Sequence, residues 1–365
     1  MPSLPDGLEA DLLQVATNMW QQFHKLDLAK PLPSLTIKVV AGPRFAGEIQ
    51  PIFDKFVIAR FKTGCFEQLY TILEQCEEAI VGAIVHDQLE AFAPTTTVAD
   101  ILGGVYTVAM HFVVAHEFSH VLCGHVYRSP EDMSQEASIH APSMAKSTPV
   151  LYYFTEMEAD HTGLEIMSDA VLFGDINRVL QSSATLEPGT INSFERADRV
   201  IGYRFLLTAA WIVIRLFEHD YRRHGRDSQR YPLPAARLYG SIDTLLRDFV
   251  GFDQIKLKSG SLYATLDEHS TSEIKRFLQE VLKPVALALA EAPNQKDGHI
   301  AMISDLEGSS TEAVVADFMR DIAGLLFVQP MVTEGGQQLV DLQPLRIFVN
   351  DQLAPYRYIE GMSNA

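Results

Sequence analysis

The stretch "VVAHEFSHVLCGHV", residues 113–126, decides how this chain is read. His116 and His120 stand four apart, with Glu117 directly after the first. Residues at i and i+4 share one face of a helix, so the two imidazoles point the same way and can share one small ion. Glu117 lies about a hundred degrees round the helix, where it reaches water beside that ion rather than serving as a third ligand. The spacing is the H-E-x-x-H pattern of two-histidine zinc hydrolases. Apolar residues flank the motif, so its helix is expected to be largely buried. Unpartnered polar groups there would be costly. A bound metal partners them at once.

Upstream, Thr97 with Asp100 three residues on forms a capping-box pattern ahead of an apolar run. A metal-bearing helix is therefore expected near 98–128, stopped by Pro130. The segment 128–149, rich in Ser, Pro, Met and Ala, follows with weak periodicity; it joins the motif to the next helix and is expected over or beside the metal. Helical spacing resumes near 150–172, in "TEMEADHTG" (155–163).

The third ligand has to come from elsewhere. A downstream histidine in the longer pattern H-E-x-x-H-x-x-G-x-x-H is not available, because Cys123 and Val126 occupy the glycine and final histidine places. His125 is one residue off; on a continuing helix it would face away, as a helix-end or supporting residue. Glu156 and Asp160 are again i and i+4. One carboxylate as ligand, and a second to hold the outer nitrogen of a ligand histidine, is the expected arrangement around zinc. Glu158 and His161 compete for the ligand role. Cys123 reads as a small core residue, with a metal-capping thiolate as the less common alternative.

The rest of the chain sets bounds. At 365 residues with a formal charge of −18, it is long enough for a proper core and too acidic overall for non-specific nucleic-acid or anionic-membrane binding. Three cysteines, Cys65, Cys76 and Cys123, read as free thiols in a reducing compartment. "MPSLPDGLEADLL" has no basic region followed by an apolar run, so no secretory leader is expected. The apolar runs 101–115 and 205–214 are shorter than the ~20 residues of a membrane span; the second is fenced by Arg204 and Arg215. A cytoplasmic protein is expected.

Strands are expected at "SLTIKVVAG" and "FDKFVIARF", and 55–61 is the natural edge strand for holding a peptide substrate. Later helices are expected near 192–222, 234–249, 269–291 and 311–327, and a strand in the tail "QQLVDLQPLRIFVN". The stretch 251–263 suggests a boundary. The expected class is α+β, mostly helical: residues 1–250 as the metal-bearing domain and 251–365 as a mainly helical region of unknown role.

"HEFSH", then "GH", then "EMEAD" resembles the gluzincin metallopeptidases, in particular soluble relatives of the HtpX-type peptidases and the phage-exclusion Lit-type peptidases. The resemblance covers roughly residues 35–240. It implies a zincin-like core, Zn2+ held by His116, His120 and Glu156, Asp160 supporting a ligand histidine, and Glu117 as general base. A histidine-proline pair with arginine five residues on, a further feature of these families, is matched only in part: Tyr231 replaces the histidine, with Pro232 and Arg237 in place. Arg237 is the expected partner for the developing oxyanion, ahead of Tyr152, Tyr153 and Tyr231. The function implied is endopeptidase action on a cytoplasmic protein or peptide, without nucleic-acid or membrane partners. The competing readings are a catalytically restrained scaffold and a metal-free helical protein.

Overall fold

A computed structural model describes residues 8–25, 28–52, 55–86, 96–128, 133, 148–173, 197–223, 234–250, 257–258, 265–266, 268–290 and 351–359. Helix α1 (Leu8–Phe23) leads into a three-stranded sheet of β1 (Ser34–Val40), β2 (Gly47–Ile52) and β3 (Phe56–Lys62). The strand order is β1-β3-β2, with β1 parallel and β2 antiparallel to β3. Val57, Ala59 and Phe61 alternate inward and are fully buried, as the two-residue period of a strand dictates.

The edge strand expected at 55–61 is corrected here: β3 is the middle strand. It pairs with β1 along one side and with β2 along the other. The edge next to the motif helix is β2, whose sequence "GEIQPI" gives little strand signal. Pairing with β3 makes it a strand, and Pro51 is tolerated because an edge strand has amides that need no ladder partner.

The remainder is helical: α2 (Gly64–Gln75), α3 (Glu77–Val85), α4 (Val98–Leu122), α5 (Thr148–Phe173), α6 (Ala197–Arg223), α7 (Pro234–Val250), α8 (Glu268–Arg276), a π-helical turn (Phe277–Leu282) and α9 (Lys283–Ala290). A two-residue pair of strands lies at Leu257–Lys258 and Thr265–Leu266. The class is α+β and mostly helical. The helix expected at 311–327, the tail strand, Tyr231 and most of 128–149 lie outside the described residues.

Helix α4 is apolar on every side and sits in the core, packed by α5, α6, α1 and β2. The capping box forms: the Thr97 hydroxyl accepts from the Asp100 amide at 3.2 Å, and the Asp100 carboxylate accepts from the Thr97 amide at 2.7 Å. The helix stops at Leu122, well before Pro130. Gly124 ends it with φ +83°, a left-handed conformation open to glycine at little cost.

Both α4 and the Arg199–Phe217 part of α6 are long and apolar enough to cross a membrane, because the helices extend beyond the short apolar runs. Each is mostly buried inside the fold. Arg204 is no solvent-side fence, being fully buried: it donates to the carbonyls of Glu280, Ile84 and Val85 at 2.7, 3.1 and 3.3 Å. Packing also crosses the boundary expected near 251. Phe277, Val281 and Val285 belong to the same buried cluster as Val113, Trp211 and Tyr358.

Candidate metal centre

Helices α4 and α5 lie side by side and bring the two motifs together. His120 Nε2 is 3.4 Å from His116 Nε2 and 3.8 Å from Glu156 Oε1, and His116 Nε2 is 3.5 Å from Glu156 Oε2. The structure thus brings these three side chains together, with one candidate ligand atom from each within 4.8 Å of the others.

Behind them the site is braced. Asp160 Oδ1 lies 2.9 Å from His116 Nδ1, close but poorly aligned for a straight hydrogen bond. Arg237, also buried, grips both Asp160 oxygens at 2.6 Å each. Its guanidinium lies over Phe217, whose ring also tilts against His116 at 5.7 Å. Arg237, expected at the oxyanion, has its Nε and one terminal nitrogen engaged with Asp160. Burial works against ionised Asp160, but Arg237 and His116 outweigh it and hold the carboxyl below its ordinary value.

Charge and burial set the other protonation states. Burial disfavours a charged His116, yet Asp160 and Glu156 overcome it and raise the imidazole to about 10. Burial lowers His120 to about 3. Burial also opposes ionised Glu156, but His116, His120 and Arg237 bring it down to about 2. Glu117 is raised to about 7, chiefly by burial, with Glu156 and Glu48 adding to the push against His116 and Arg237. Its carboxylate lies directly against Gly47 of β2. A Cβ built on Gly47 would stand 2.6 Å from Glu117 Oε1 and 2.7 Å from its Cγ. The close approach needs glycine.

The competing ligand residues go elsewhere. His161 bonds Thr244 through Nδ1 at 2.6 Å and meets Glu165 through Nε2 at 3.2 Å. Cys123 Sγ faces the Thr162 hydroxyl at 3.4 Å, and burial keeps it a thiol by pushing its pKa far up. Tyr152 lies one turn before Glu156 on α5, and the side chains of Tyr153 and Tyr231 lie outside the described residues. His125 does not face away, because Gly124 turns the chain back. His125 Nδ1 sits 3.0 Å from His120 Nδ1, and its Nε2 sits 2.9 Å from Glu158 Oε2.

Three contributors left little sequence signal: Gly47, Glu158 in its bracing role, and Arg357. Arg357 donates to both Glu158 oxygens at 2.6 and 3.0 Å from 199 positions away. Glycine at a strand start and arginine in a short turn are commonplace, so only the fold reveals them.

The three side chains could together hold a metal ion. Zinc bonds of about 2.0–2.1 Å in a tetrahedron imply ligand-to-ligand edges of about 3.3–3.4 Å; the two imidazole nitrogens stand 3.4 Å apart, and they approach different oxygens of Glu156, at 3.5 and 3.8 Å. Two imidazoles and a carboxylate are borderline ligands suited to that ion. No family model, curated protein or solved structure matches the chain.

Proposed function

We propose that the chain is a zinc-dependent endopeptidase with a zincin-like core, acting on a peptide bond of a cytoplasmic protein. One observation carries the reading: candidate ligand atoms of His116, His120 and Glu156 lie within 4.8 Å of one another, beside the buried Glu117. Those three residues would hold the ion. When bound, zinc supplies a Lewis acid and lowers the pKa of water towards about 7.

The chain's own residues do the rest. Glu117, raised to about 7, is matched to take a proton from the attacking water near neutral pH and to return it to the leaving amine. Asp160 holds His116 with its Nε2 towards the other two donors, and Arg237 holds Asp160. Among the described residues β2 is an outer strand of the sheet and is largely exposed, and its Gly47 lies beside Glu117, which suits an extended peptide added as a further strand. Three unpaired, buried cysteines fit a reducing compartment. The net charge of −18 argues against a nucleic-acid partner.

Metal analysis tests the site first. The purified chain should carry about one zinc, and His116→Ala and Glu156→Ala should each lose most of it. Wild-type protein without metal after incubation with Zn2+, or a Glu156→Ala variant that keeps its zinc, would sink the ligand set. A peptide library then tests for cleavage, which separates the enzyme from a metal-bearing scaffold.

A further inference from the structure

The residues around His125 form a second arm behind the donor cluster. His120 Nδ1 contacts His125 Nδ1 at 3.0 Å, His125 Nε2 contacts Glu158 at 2.9 Å, and Arg357 clamps both Glu158 oxygens. His125 is buried, and His120, Glu158 and Arg357 are partly buried. Cys123, His125 and Glu158 also lie close enough to hold an ion of their own. Arg357 argues against that use, since a guanidinium already occupies the carboxylate a cation would need.

The direction of the protons follows from one acceptor-only group. Arg357 donates to both Glu158 oxygens at once, so Glu158 is a carboxylate with only acceptors to offer, and it accepts from both neighbours. His125 therefore donates from Nε2. In a neutral imidazole that leaves Nδ1 as the acceptor, and it accepts from His120 Nδ1–H. His120 is then the tautomer whose Nε2 lone pair faces His116 and Glu156. The arrangement parallels the other arm, where Arg237 holds Asp160 and Asp160 holds His116.

Arg357 is fixed in place by the segment that carries it. The Tyr358 amide donates to the Leu122 carbonyl at 2.8 Å, at the open end of α4, and the Ala29 amide donates to the Tyr358 carbonyl at 3.0 Å. Tyr356 packs directly on Gly124, where a Cβ would come within 2.8 Å of its own. Arg128 donates to Gln352 at 2.7 Å. The C-terminal turn is thus bolted to the same Gly124 bend that brings His125 to His120.

We infer that Arg357 is a positioning residue for the metal ligand His120, acting through Glu158 and His125, so that residues 351–359 complete the donor cluster. The inference rests on the metallopeptidase reading for the meaning of "ligand", and on hydrogen bonding alone for the relay.

The test combines zinc affinity, measured by competition with a chromophoric chelator, with histidine side-chain 15N spectra of metal-free full-length protein. Arg357→Ala should weaken zinc binding by roughly tenfold to a hundredfold, the usual cost of losing an outer partner of a ligand, and Arg357→Lys should recover part of it. His125→Phe keeps the packing and cuts the relay. In that background Arg357→Ala should cost almost nothing more, because coupled groups are not additive. An equal loss in both backgrounds, or no loss in the wild-type background, overturns the relay. The spectra need no variant to fold: His120 should carry its proton at Nδ1 in the wild type. Finding it at Nε2 overturns the relay even if zinc binds. If the wild type takes up no zinc, the metallopeptidase reading fails separately, and the His120 tautomer still decides the relay.

Discussion

At Glu117 the enzyme and scaffold readings give opposite expectations, because a scaffold has no use for a base. Glu117→Gln keeps the size and removes the proton acceptor, so zinc content should be unchanged. Removing a buried carboxylate already raised to about 7 should leave the fold intact or slightly more stable. Turnover of an authentic substrate should drop by ~10²–10⁴-fold; full activity at full zinc occupancy would show that Glu117 is not the base. Gly47 tests the same carboxylate from the other side. Gly47→Ala puts a methyl group within 2.7 Å of Glu117 Cγ, which is buried and has little room to move. Steady-state kinetics with metal content measured alongside should show kcat falling roughly tenfold or more, the order expected for a small displacement of a reacting group. His116 with His120, and Glu156 with Asp160, were legible because i,i+4 spacing puts each pair on one helix face, and Glu117 because it directly follows the first histidine of the H-E-x-x-H pattern. Gly47, His125 and Arg357 were not, because their positions depend on a strand pairing, a glycine bend and a contact between distant parts of the chain.

Among the elements, α5 brings three carboxylates to the centre in alternate positions, Glu156, Glu158 and Asp160, each with a different cationic or imidazole partner. Folding lowers Glu156 and Glu158 from an ordinary 4.5 to about 2. A lowered folded-state pKa means the unfolded chain takes up the proton first. The stabilisation is therefore fully present above about pH 4.5 and is lost as pH falls towards about 2. Thermal melting of the metal-free protein from about pH 6 to about pH 3 should show a steady fall, and Glu158→Gln should flatten it. A slope unchanged by Glu158→Gln would mean that the carboxylate is not held as drawn. The start of α4 was legible from Thr97 and Asp100, because a capping box is a local pattern. Its end was misplaced at Pro130, since proline breaks a helix by a rule that reads plainly, whereas Gly124 does so only if its backbone turns left-handed. β2 was missed for the complementary reason, its strand character being supplied by β3.

On the scale of the whole molecule, the question is whether the apolar helices and the C-terminal third belong to one core. Arg204 sits where both issues meet. It lies in the apolar Arg199–Phe217 stretch, yet its guanidinium reaches carbonyls at the end of α3 and in the π-helical turn beyond residue 250. Composition could not show this, because an arginine flanking an apolar run looks like a solvent-side or interfacial anchor. Its acceptors lie 76 to 120 positions away. Arg204→Met keeps much of the apolar stem while leaving three carbonyls without that donor. Buried polar groups left unpaired cost about 1–3 kcal/mol, so a loss of roughly 2–4 kcal/mol in unfolding free energy is expected. Denaturant unfolding followed by both tryptophan fluorescence and circular dichroism should show one transition, shifted to lower denaturant in the variant. Two separate transitions, with only one moved by Arg204→Met, would mean that residues 268–290 form a unit apart from the core around α4 and α6. A single shifted transition would instead tie the donor cluster, the apolar helices and residues 268–290 to one cooperative structure.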